Sequence, residues 1–447
     1  MSRLHRREFL KSTTLAGLGA CVSPHLWADE PAKSEPLNVG FVGVGGRGRG
    51  NIDGFLSENL VAYCDIDGKH LDAAVADLVE KKKRPKPKTY ADFREMLDKE
   101  KNLDVVVVST PDHTHAVAAM AAMRLGKHVY CEKPLTYSIA EARALRLIAA
   151  EKKVITAMGN QGTALDGLRT AVEVIRSGAI GPVSEVHVWT NRPGRYWKQG
   201  LDRPTSRPTC PEHIHWDLWL GPAAEQPYHP FYHPFAWRGW CEFGTGALGD
   251  MACHTANMMY MALDLGFPTS AVAETAPFNG HSYPLWSTIT FTFPARGEQP
   301  PVKVIWYDGE KEGRRNLPPE ELLPGVKLAD SGSLLLGKKG MLYSPNDYGA
   351  SFKLLPEKDF ADFKLPEPVL PRVGGRHHQE FITAVKQNRQ PLGSFDYAGR
   401  LTEFVLVGNL AVRLGKRIDW DGEAMVARGC PEAETLIKRP YRSGWTL

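Results

Sequence analysis

The stretch Asn38-Val39-Gly40-Phe41-Val42-Gly43-Val44-Gly45-Gly46-Arg47-Gly48 joins a short apolar run to a glycine-rich turn, and a helical pattern follows it. In a strand–turn–helix context, the spacing Gly-x-Gly-x-x-Gly is typical of a dinucleotide-binding turn. Gly43 allows the tight turn, Gly45 lets the backbone approach a pyrophosphate, and Gly48 allows the helix to pack closely on the strand. The stretch therefore predicts a parallel α/β fold built around a bound dinucleotide.

Asp65 stands at the end of the second apolar run, twenty-two residues after Gly43. A carboxylate at this position accepts hydrogen bonds from the adenosine ribose and repels a 2′-phosphate, which favours NAD. Arg47 or Lys69 would reverse that preference, so NADP is the alternative cofactor. The N–H groups exposed at the start of the helix, around Gly46 and Arg47, are expected to hold the phosphates.

The chain of 447 residues is too long for one ordinary core and suggests two domains behind a leader. Residues 36–157 alternate short strands with helical patterns, which predicts a Rossmann domain with a parallel, doubly wound sheet. Residues 158–375 carry longer, alternating strands and predict an α+β domain with a large, mostly antiparallel open sheet. Residues 376–447 return to a helical period and are expected to pack back on both domains. The predicted strands are 38–42, 60–64, 103–109, 128–131, 183–190, 286–293 and 302–307.

Polar residues follow the strand at 103–109, at the sheet edge where open parallel sheets bind their ligands. The residues expected to face the cofactor there are Thr110, Pro111, His113 and His115. Asp112 or Thr114 in the same segment equally suits the N-cap of the following helix. The segment therefore predicts a cofactor contact, a helix cap, or both.

Three ionisable residues farther along the chain suit proton and charge transfer. Lys133 follows the strand at 128–131, where a lysine beside a nicotinamide can stabilise negative charge on a substrate oxygen. Asp250 and His254 are four residues apart and hence share one helix face. A carboxylate beside an imidazole raises its basicity and orients it, which suits a general base, although a plain surface pair has the same spacing.

Together these motifs resemble the Gfo/Idh/MocA oxidoreductase superfamily, which includes glucose–fructose oxidoreductase and inositol dehydrogenase. The resemblance rests on the glycine-rich turn, on Glu132-Lys133-Pro134 and on Asp250-x-x-x-His254, and it extends to Gly159-Asn160-Gln161-Gly162 and to residues 216–222. It implies NAD(P) in the cleft beside a catalytic group of Lys133, Asp250 and His254. It also implies that Glu132, Lys133, Asn160 and Gln161 contact the cofactor.

The resemblance further implies how these residues share the chemistry. His254 would take a hydroxyl proton while hydride leaves the carbon, and Lys133 would stabilise the developing alkoxide. Asp250 would orient His254 or the substrate. Family resemblance also implies a homo-oligomer, either a dimer or a tetramer, built on the sheet of the second domain.

The stretch between residues 192 and 240 is rich in proline, tryptophan and histidine and reads as an insertion that binds substrate. Flat aromatic faces stack on sugar C–H surfaces, while polar side chains bond hydroxyls. The predicted substrate-binding residues are Arg192, Tyr196, Trp197, His233, Trp237 and Arg238. The histidines at 213, 215, 229 and 233 raise the alternative of a metal, but their spacing fits no closed motif, and no metal is predicted. Plain core and loop packing is the other alternative.

Residues 1–30 read as a leader and are left out of the fold. His5-Arg6-Arg7-Glu8-Phe9-Leu10-Lys11 precedes a short apolar stretch, a pattern that resembles a bacterial twin-arginine signal. Cleavage after Ala28 would release a periplasmic protein. Alternatively, Cys21 in Leu18-Gly19-Ala20-Cys21 would carry a lipid. We therefore expect export by the twin-arginine pathway, with membrane contact only through a lipid at Cys21.

Composition argues against a nucleic-acid partner, because the net charge is only +4 and the basic run at 81–88 lacks aromatic residues. We expect an oxidoreductase acting on a CH–OH group of a sugar, cyclitol or glycoside, with a small-molecule carbohydrate or cyclitol as its partner. Outside the cytoplasm there is no soluble nicotinamide pool, so the cofactor is expected to be tightly bound and recycled internally. One alternative is an NAD-dependent glycoside hydrolase that works by transient oxidation and elimination. The other is a non-catalytic dinucleotide- and sugar-binding protein.

Overall fold

The computed structural model describes residues 35–447, so the predicted leader and Cys21 lie outside the described residues. The strands of the first domain are β1 (Asn38–Val42), β2 (Asn59–Cys64), β3 (Lys88–Tyr90), β4 (Val105–Val108), β5 (His128–Glu132) and β6 (Thr156–Gly159). Its helices are α1 (Arg47–Gly54), α2 (Gly68–Ala76), α3 (Phe93–Lys99), α4 (Asp112–Arg124) and α5 (Ile139–Lys152). The six strands are parallel and lie in the order β3-β2-β1-β4-β5-β6. This is the predicted doubly wound Rossmann sheet.

The run Val105–Val108 forms the centre of this sheet, and all four valines are fully buried. Helices cover both faces of a parallel sheet, so its central strand has no polar side. The strand order reverses between β1 and β4, and the carboxyl ends of these two strands flank the resulting crevice. The glycine-rich turn after β1 and the polar segment after β4 therefore meet at the edge where a dinucleotide binds.

The second domain is built on a ten-stranded sheet. Its strands are β7 (Val183–Thr190), β8 (Ser270–Thr275), β9 (Trp286–Phe293), β10 (Val302–Lys311), β11 (Arg314–Arg315), β12 (Gly332–Gly337), β13 (Met341–Ser344), β14 (Lys353–Leu355), β15 (Ile418–Asp421) and β16 (Val426–Arg428). Nine of them lie in the order β14-β13-β12-β7-β10-β9-β8-β15-β16, and β11 pairs with β10. The β7–β10 pair is parallel and the other pairs are antiparallel. The predicted fold class is confirmed.

The remaining helices cover this sheet and connect it to the first domain. They are α6 (Asp166–Arg176), α7 (Arg192–Arg195), α8 (Trp216–Leu220), α9 (Gly246–Thr255), α10 (Asn257–Leu263), α11 (His377–Lys386), α12 (Phe395–Leu414) and α13 (Glu434–Ile437). Short 3-10 turns occupy Gln161–Ala164, Ala236–Gly239, Glu320–Leu322, Glu357–Phe360 and Pro431–Ala433, and one π-helical turn, Asp77–Lys81, extends α2. Within residues 35–447, no helix combines the length and apolar character needed to cross a bilayer.

The two C-terminal helices pack on both domains. Phe381 and Ile382 of α11 belong to the same buried cluster as Val39 and Phe41 of β1. Helix α12 packs against α5 on one side and against α9, β8 and β9 on the other. All six cysteines of the described residues carry free thiols, and Cys64 and Cys131 are buried, as their apolar surroundings in the sequence predict.

A fully buried ion pair ties α6 to α11. Arg169 has no exposed surface, and its Nη2 lies 2.8 Å from each carboxylate oxygen of Glu380. Its Nε donates to the carbonyl oxygen of Thr163 at 2.9 Å. Because each group satisfies the other away from water, loss of one partner leaves an uncompensated buried charge.

We expect Arg169→Leu to destabilise the protein by about 3 to 5 kcal/mol, because it leaves the Glu380 carboxylate buried without its cation. The matched control is Arg417→Leu, which removes an exposed arginine 2.7 Å from Asp419 and should cost less than about 1 kcal/mol. Urea denaturation followed by circular dichroism measures both variants. Equal midpoints for the two variants would contradict the structural role of the buried pair.

Candidate active site

The glycine-rich turn has the close backbone approach that its sequence predicts. Gly43 has φ of +84°, and a Cβ atom there would lie 2.7 Å from the carbonyl oxygen of Ser109. A Cβ atom on Gly48 would lie 2.1 Å from the carbonyl oxygen of Gly43. Glycine is therefore required at both positions, and the first N–H groups of α1 are brought to the edge of the crevice.

The Asp65 carboxylate holds this turn in shape. It accepts hydrogen bonds from the backbone N–H groups of Val44 at 2.8 Å, Gly45 at 3.2 Å and Asp67 at 3.0 Å. An ionised carboxylate has about four acceptor positions, which leaves capacity for a ribose hydroxyl. The turn, the start of α1 and Asp65 thus fit the phosphates and the adenosine ribose of a dinucleotide.

A cavity of 470 Å³ opens between this turn and the second domain, and most of the predicted site residues line it. From the first domain these are Gly43, Gly45, Gly46, Arg47, Asp65, Thr110, Pro111, Glu132 and Lys133. From the remainder of the chain they are Gln161, Arg192, Tyr196, Trp197, His233, Trp237, Arg238, Asp250 and His254. The predicted cofactor, catalytic and substrate residues therefore share one cleft.

His113 and His115 lie outside the cavity lining, which differs from the expectation that they face the cofactor. The ring nitrogens of His113 lie 3.2 and 2.8 Å from the carbonyl oxygens of Phe243 and Trp219. Those of His115 lie 2.8 Å from the carbonyl oxygens of Pro134 and Thr110. Both imidazoles are buried, and they join the segments that surround the cleft. Their hydrogen-bonding capacity is directed to the backbone because α4 begins at Asp112 and turns both rings inward.

Lys133 and Asp250 form a close ion pair at the cleft wall. Lys133 Nζ lies 2.7 Å from Asp250 Oδ1 and 2.9 Å from the Asp250 carbonyl oxygen, and Arg238 Nε lies 3.3 Å from the same Oδ1. Burial alone would raise the pKa of Asp250, but the positive charges of Lys133 and Arg238 outweigh it and lower the pKa to about 2. Asp250 is therefore ionised and holds the ammonium group in place.

His254 is oriented by Asn160 and not by Asp250. His254 Nδ1 lies 2.7 Å from Asn160 Oδ1, while Asn160 Nδ2 donates to the carbonyl oxygen of Cys253. Because the amide nitrogen must face that carbonyl, its oxygen must accept from Nδ1–H, which leaves the lone pair of His254 on Nε2. Burial, and next the charge of Lys133, hold the pKa of His254 well below its ordinary value. The ring is therefore neutral, with the tautomer that a base requires.

Asn160 itself lies outside the cavity lining, so its predicted contact with the cofactor is replaced by a hydrogen bond with His254. A second polar chain supports the glycine-rich turn. Glu132 accepts hydrogen bonds from Arg47 Nε at 3.0 Å and from Asn51 Nδ2 at 2.9 Å. Asn51 Oδ1 in turn lies 2.8 Å from His378 Nε2. The predicted Glu132 therefore fixes the start of α1 through Arg47 of the motif and through Asn51, which no motif identifies.

The aromatic residues of the insertion form a buried cluster that also reaches the cleft, since Trp219 and Trp237 both belong to the cluster and line the cavity. Trp219, Trp240 and Phe243 form a small buried cluster with Tyr232. The cleft side carries Tyr196, Phe235 and Trp237, which are partnered by arginines: Arg192 Cζ lies 4.3 Å from the Tyr196 ring centroid, and Arg238 Cζ lies 4.3 Å from those of Trp237 and Phe235. Core packing and ligand-facing aromatic side chains therefore both occur in this insertion.

His233, predicted to bind substrate, joins the insertion to the first domain. Its Nε2 lies 3.1 Å from Asp67 Oδ2, while Asp67 Oδ1 accepts the N–H group of Lys69 at the start of α2. Potential metal-ligand atoms of Asp67, His70 and His233 lie within 4.8 Å of one another. Both carboxylate oxygens of Asp67 accept hydrogen bonds, one from His233 and one from the start of α2. These bonds make the cluster a link between the insertion and the first domain, on the adenosine side of the cleft.

Two family models match the chain over most of these elements. An oxidoreductase family with an NAD-binding Rossmann fold matches residues 37–160, and the C-terminal alpha/beta domain of an oxidoreductase family matches residues 167–312. The chain belongs to the Gfo/Idh/MocA oxidoreductase family. Family membership confirms the predicted resemblance and the NAD-binding Rossmann domain that carries the glycine-rich turn.

Curated relatives of this family member are glycoside hydrolases. The alpha-N-acetylgalactosaminidase of Shewanella oneidensis is 34% identical over 166 residues, which cover 32% of this chain and 36% of the relative. A glycosyl hydrolase family 109 protein of Shewanella baltica is 32% identical over the same length and the same shares of both chains. The matched stretch thus spans about a third of the length of these relatives.

Solved structures of similar fold cover nearly the whole described chain. The WlbA dehydrogenase of Bordetella pertussis, in complex with NADH and UDP-GlcNAcA, is 18% identical with a TM-score of 0.59 and covers 87% of this chain and 99% of its own. An inositol dehydrogenase homologue of Azotobacter vinelandii, complexed with NADH and myo-inositol, is 16% identical with a TM-score of 0.57 and covers 87% and 98%. These likenesses show that the chain shares the fold of these proteins.

Tyr348 is a cleft residue of this family member that the sequence did not indicate. It lines the cavity, and its ring stands at 90° to the His254 ring with 4.8 Å between the centroids. The neighbouring Asp347 forms an ion pair with Arg192. Both residues come from the loop after β13, far from every motif, so only the sheet topology brings Tyr348 to His254 and Asp347 to Arg192.

We expect Asn160→Ala to lower kcat by about 10- to 100-fold, because a second partner that fixes the orientation of an imidazole contributes about that much. Dinucleotide content should stay unchanged, since Asn160 lies outside the cavity lining. The matched control is Asn257→Ala, which removes another fully buried amide, bonded to Thr163 Oγ1 at 3.0 Å. Single-turnover rates and thermal melts separate the two roles. An Asn160 variant that loses stability like the control but keeps its rate would contradict the orienting role.

Proposed function

We propose that this protein is an NAD-dependent oxidoreductase that acts on a CH–OH group of a sugar, cyclitol or glycoside and keeps its cofactor bound between cycles. The observation that carries the proposal is that Lys133, Asp250 and His254 line the same cavity as the glycine-rich turn. Relatives of similar fold hold NADH together with a nucleotide sugar or an inositol, which supports a polyhydroxylated substrate.

The chemistry of the chain follows from three side chains. Bound NAD supplies the acceptor for a hydride from the substrate carbon. His254 Nε2 carries the free lone pair and takes the proton of the reacting hydroxyl group. Lys133 has three N–H donors, of which two are directed to Asp250, and the third can stabilise negative charge on the substrate oxygen. Asp250 holds the ammonium group in position through these two contacts.

A second candidate function is an NAD-dependent glycoside hydrolase. The similarity to an alpha-N-acetylgalactosaminidase and to family 109 glycosyl hydrolases favours it. In this route hydride would pass transiently from one carbon to bound NAD, which makes the neighbouring C–H acidic and permits elimination of the glycosidic bond. Water then adds to the resulting double bond before the oxidation is reversed, and the same residues hold and move the protons. Both functions need the same wall of the cleft, so they differ in products and not in the residues used.

The first experiment is to purify the chain without added cofactor, denature it and identify the released dinucleotide by mass spectrometry. NAD in near-stoichiometric amount is the expected result. A protein that releases no dinucleotide but reduces free NAD with simple sugars would contradict the retained cofactor. Release of NADP instead of NAD would reverse the predicted cofactor preference.

The second experiment separates the two functions on one panel of sugars, cyclitols and glycosides that includes N-acetylgalactosaminides. Formation of an oxidised sugar, coupled to reduction of a second sugar, supports the oxidoreductase. Release of reducing sugar without an oxidised product supports the hydrolase. His254→Ala is the control for both, and a product that forms equally in that variant would contradict either assignment.

We also propose export by the twin-arginine pathway, which carries folded proteins and therefore suits a cofactor that is loaded before export. The support is the Arg6-Arg7 pair with its following Phe9-Leu10-Lys11. The test is to fractionate cells that express the wild type and an Arg6→Lys/Arg7→Lys variant. Retention of only the variant in the cytoplasm is expected. Mass spectrometry of the exported protein distinguishes cleavage after Ala28 from a lipid at Cys21.

The family resemblance supports a homo-oligomer, dimer or tetramer, built on the second-domain sheet. Light scattering coupled to gel filtration measures the oligomeric state. A monomer at micromolar concentration would contradict this part of the proposal.

A further inference from the structure

Residues 439–447, which we call the C-terminal strap, reach the cavity through Trp445. Trp445 of the strap lines the cavity together with Ala91, Asp92 and Phe93, the residues that follow β3. Strand β3 pairs with β2, and Asp65 directly follows β2. The strap therefore reaches the part of the cleft beyond the residue that fits the adenosine ribose.

The direction of the dinucleotide across the sheet follows from the order of the strands. The pyrophosphate belongs over the turn after β1, and the adenosine ribose belongs beside Asp65 after β2. Since β3 is the next strand outward, the adenine belongs at the end of β3. Phe93 and Trp445 stand at that position, with 6.0 Å between their ring centroids.

The indole of Trp445 is held by its neighbours. Arg94 Cζ lies 4.4 Å from the ring centroid, and the Arg94 guanidinium is fixed by the Asp92 carboxylate, with Nε 3.0 Å from Oδ1. Trp445 is 8% exposed, yet its ring contributes to the cavity wall. An aromatic ring with a cation over it and an open cavity beside it is a stacking surface for a planar base.

Two sets of hydrogen bonds fasten the strap. Glu141 Oε1 of α5 accepts from Tyr441 Oη at 2.6 Å and from Arg439 Nε at 2.9 Å. Arg442 donates to the carbonyl oxygen of Asp217 at 2.7 Å and to that of Gly221 at 3.1 Å. The strap thus bridges the first domain and the insertion, and it positions Trp445 between them.

We propose that Trp445 binds the adenine of the dinucleotide and that the C-terminal strap slows the release of the cofactor. The inference rests on the proposed binding of NAD and names a residue that holds it. Stacking of a base on an aromatic side chain is worth about 10- to 100-fold in affinity. A retained cofactor needs slow release, and a wall supplied by the last segment of the chain provides it.

The test compares full-length wild type with Trp445→Ala, Trp445→Phe and the control Trp286→Ala. Trp286 lies on β9 under Lys311, with 4.6 Å between Nζ and the ring centroid, and takes no part in the cavity lining. Each chain is loaded with NADH, and the release rate is followed after gel filtration. Competition with ADP-ribose and with nicotinamide mononucleotide then compares a ligand that contains adenine with one that lacks it.

We expect Trp445→Ala to release NADH about 10- to 100-fold faster and to bind ADP-ribose more weakly by the same factor. Trp445→Phe should lie between the wild type and Trp445→Ala in both quantities. Nicotinamide mononucleotide should bind all four chains equally. An unchanged release rate in Trp445→Ala would overturn this inference and leave the proposed function standing. Equal weakening of both competitors would show a general loss of the site and overturn the assignment to adenine. A wild type that binds neither NADH nor NADPH would overturn this inference and the proposed function together.

Discussion

His254→Ala is expected to lower kcat by about 10²- to 10⁴-fold, the range that a positioned general base contributes. The reason is the fixed tautomer: Asn160 accepts from Nδ1–H, so Nε2 is the acceptor that the variant loses. NAD content should stay near the wild-type level, because the variant leaves the glycine-rich turn and its hydrogen bonds to Asp65 unchanged. The measurement is the single-turnover rate with the substrate found in the sugar panel, together with dinucleotide content after denaturation.

The control for this variant is His281→Ala, which removes an imidazole that bonds Arg203 at 3.0 Å and lies outside the cavity lining. Its rate should match the wild type. If His254→Ala retained the wild-type rate while the control did too, the base would have to be another group, and Tyr348, which lies against His254, would be the next residue to test.

The pH dependence of the wild type gives an independent check on the same residue. A neutral base loses activity when it is protonated, so the acid limb of kcat/KM follows the pKa of His254. Burial and the charge of Lys133 lower that pKa well below its ordinary value of 6.5. Activity is therefore expected to be full at pH values where an exposed histidine is already protonated, and to fall only at more acidic pH.

Seven of the sixteen strands in the described residues were predicted from the sequence, because a local pattern decides each of them. Residues 38–42, 183–190 and 286–293 form strands with the predicted bounds, and β4 is shorter than predicted by three residues, which lie at its two ends. In each case an apolar or alternating run ends at a turn signal, so the pattern is complete within the segment. Helix α5 likewise begins after Ser138, whose N–H bonds Glu141 at 2.9 Å, as a capping box requires.

The partners of the catalytic residues were not predictable, because they come from distant segments. The spacing of Asp250 and His254 indicates one helix face but does not say what faces it. In the structure Asp250 pairs with Lys133, which follows β5. His254 forms a hydrogen bond with Asn160, which follows β6. A pair at this spacing was expected to act as a unit, and each member is instead held by a different strand end.

The placement of His113 shows why polarity at a strand end does not identify a ligand contact. The segment after β4 was expected to direct its imidazoles into the cleft. The first turn of α4 directs them instead to backbone carbonyl groups of the insertion and the neighbouring loops. Trp445 shows the reverse case, since a C-terminal residue without any motif reaches the cleft because the chain returns there.

Lys133→Met is expected to lower kcat by about 10²- to 10³-fold, the loss that follows removal of one donor to a developing oxyanion. It should also move the acid limb of kcat/KM to higher pH. The positive charge of Lys133 is the second cause, after burial, that lowers the pKa of His254, so its removal lets that pKa rise towards the ordinary value. Protonation of the base then begins at a higher pH, and the variant loses activity earlier on acidification.

The comparison with Lys133→Arg separates charge from shape. Arginine keeps the positive charge beside Asp250, so its acid limb should stay at the wild-type position even if its rate falls, because the planar guanidinium places its donors differently. Lys152→Met, at the exposed end of α5, is the control for the loss of one lysine and should change neither quantity. If the acid limb of Lys133→Met coincided with that of the wild type, either His254 would not be the titrating base or Lys133 would not be close enough to influence it. Since His254→Ala removes the base itself, that variant decides between the two explanations.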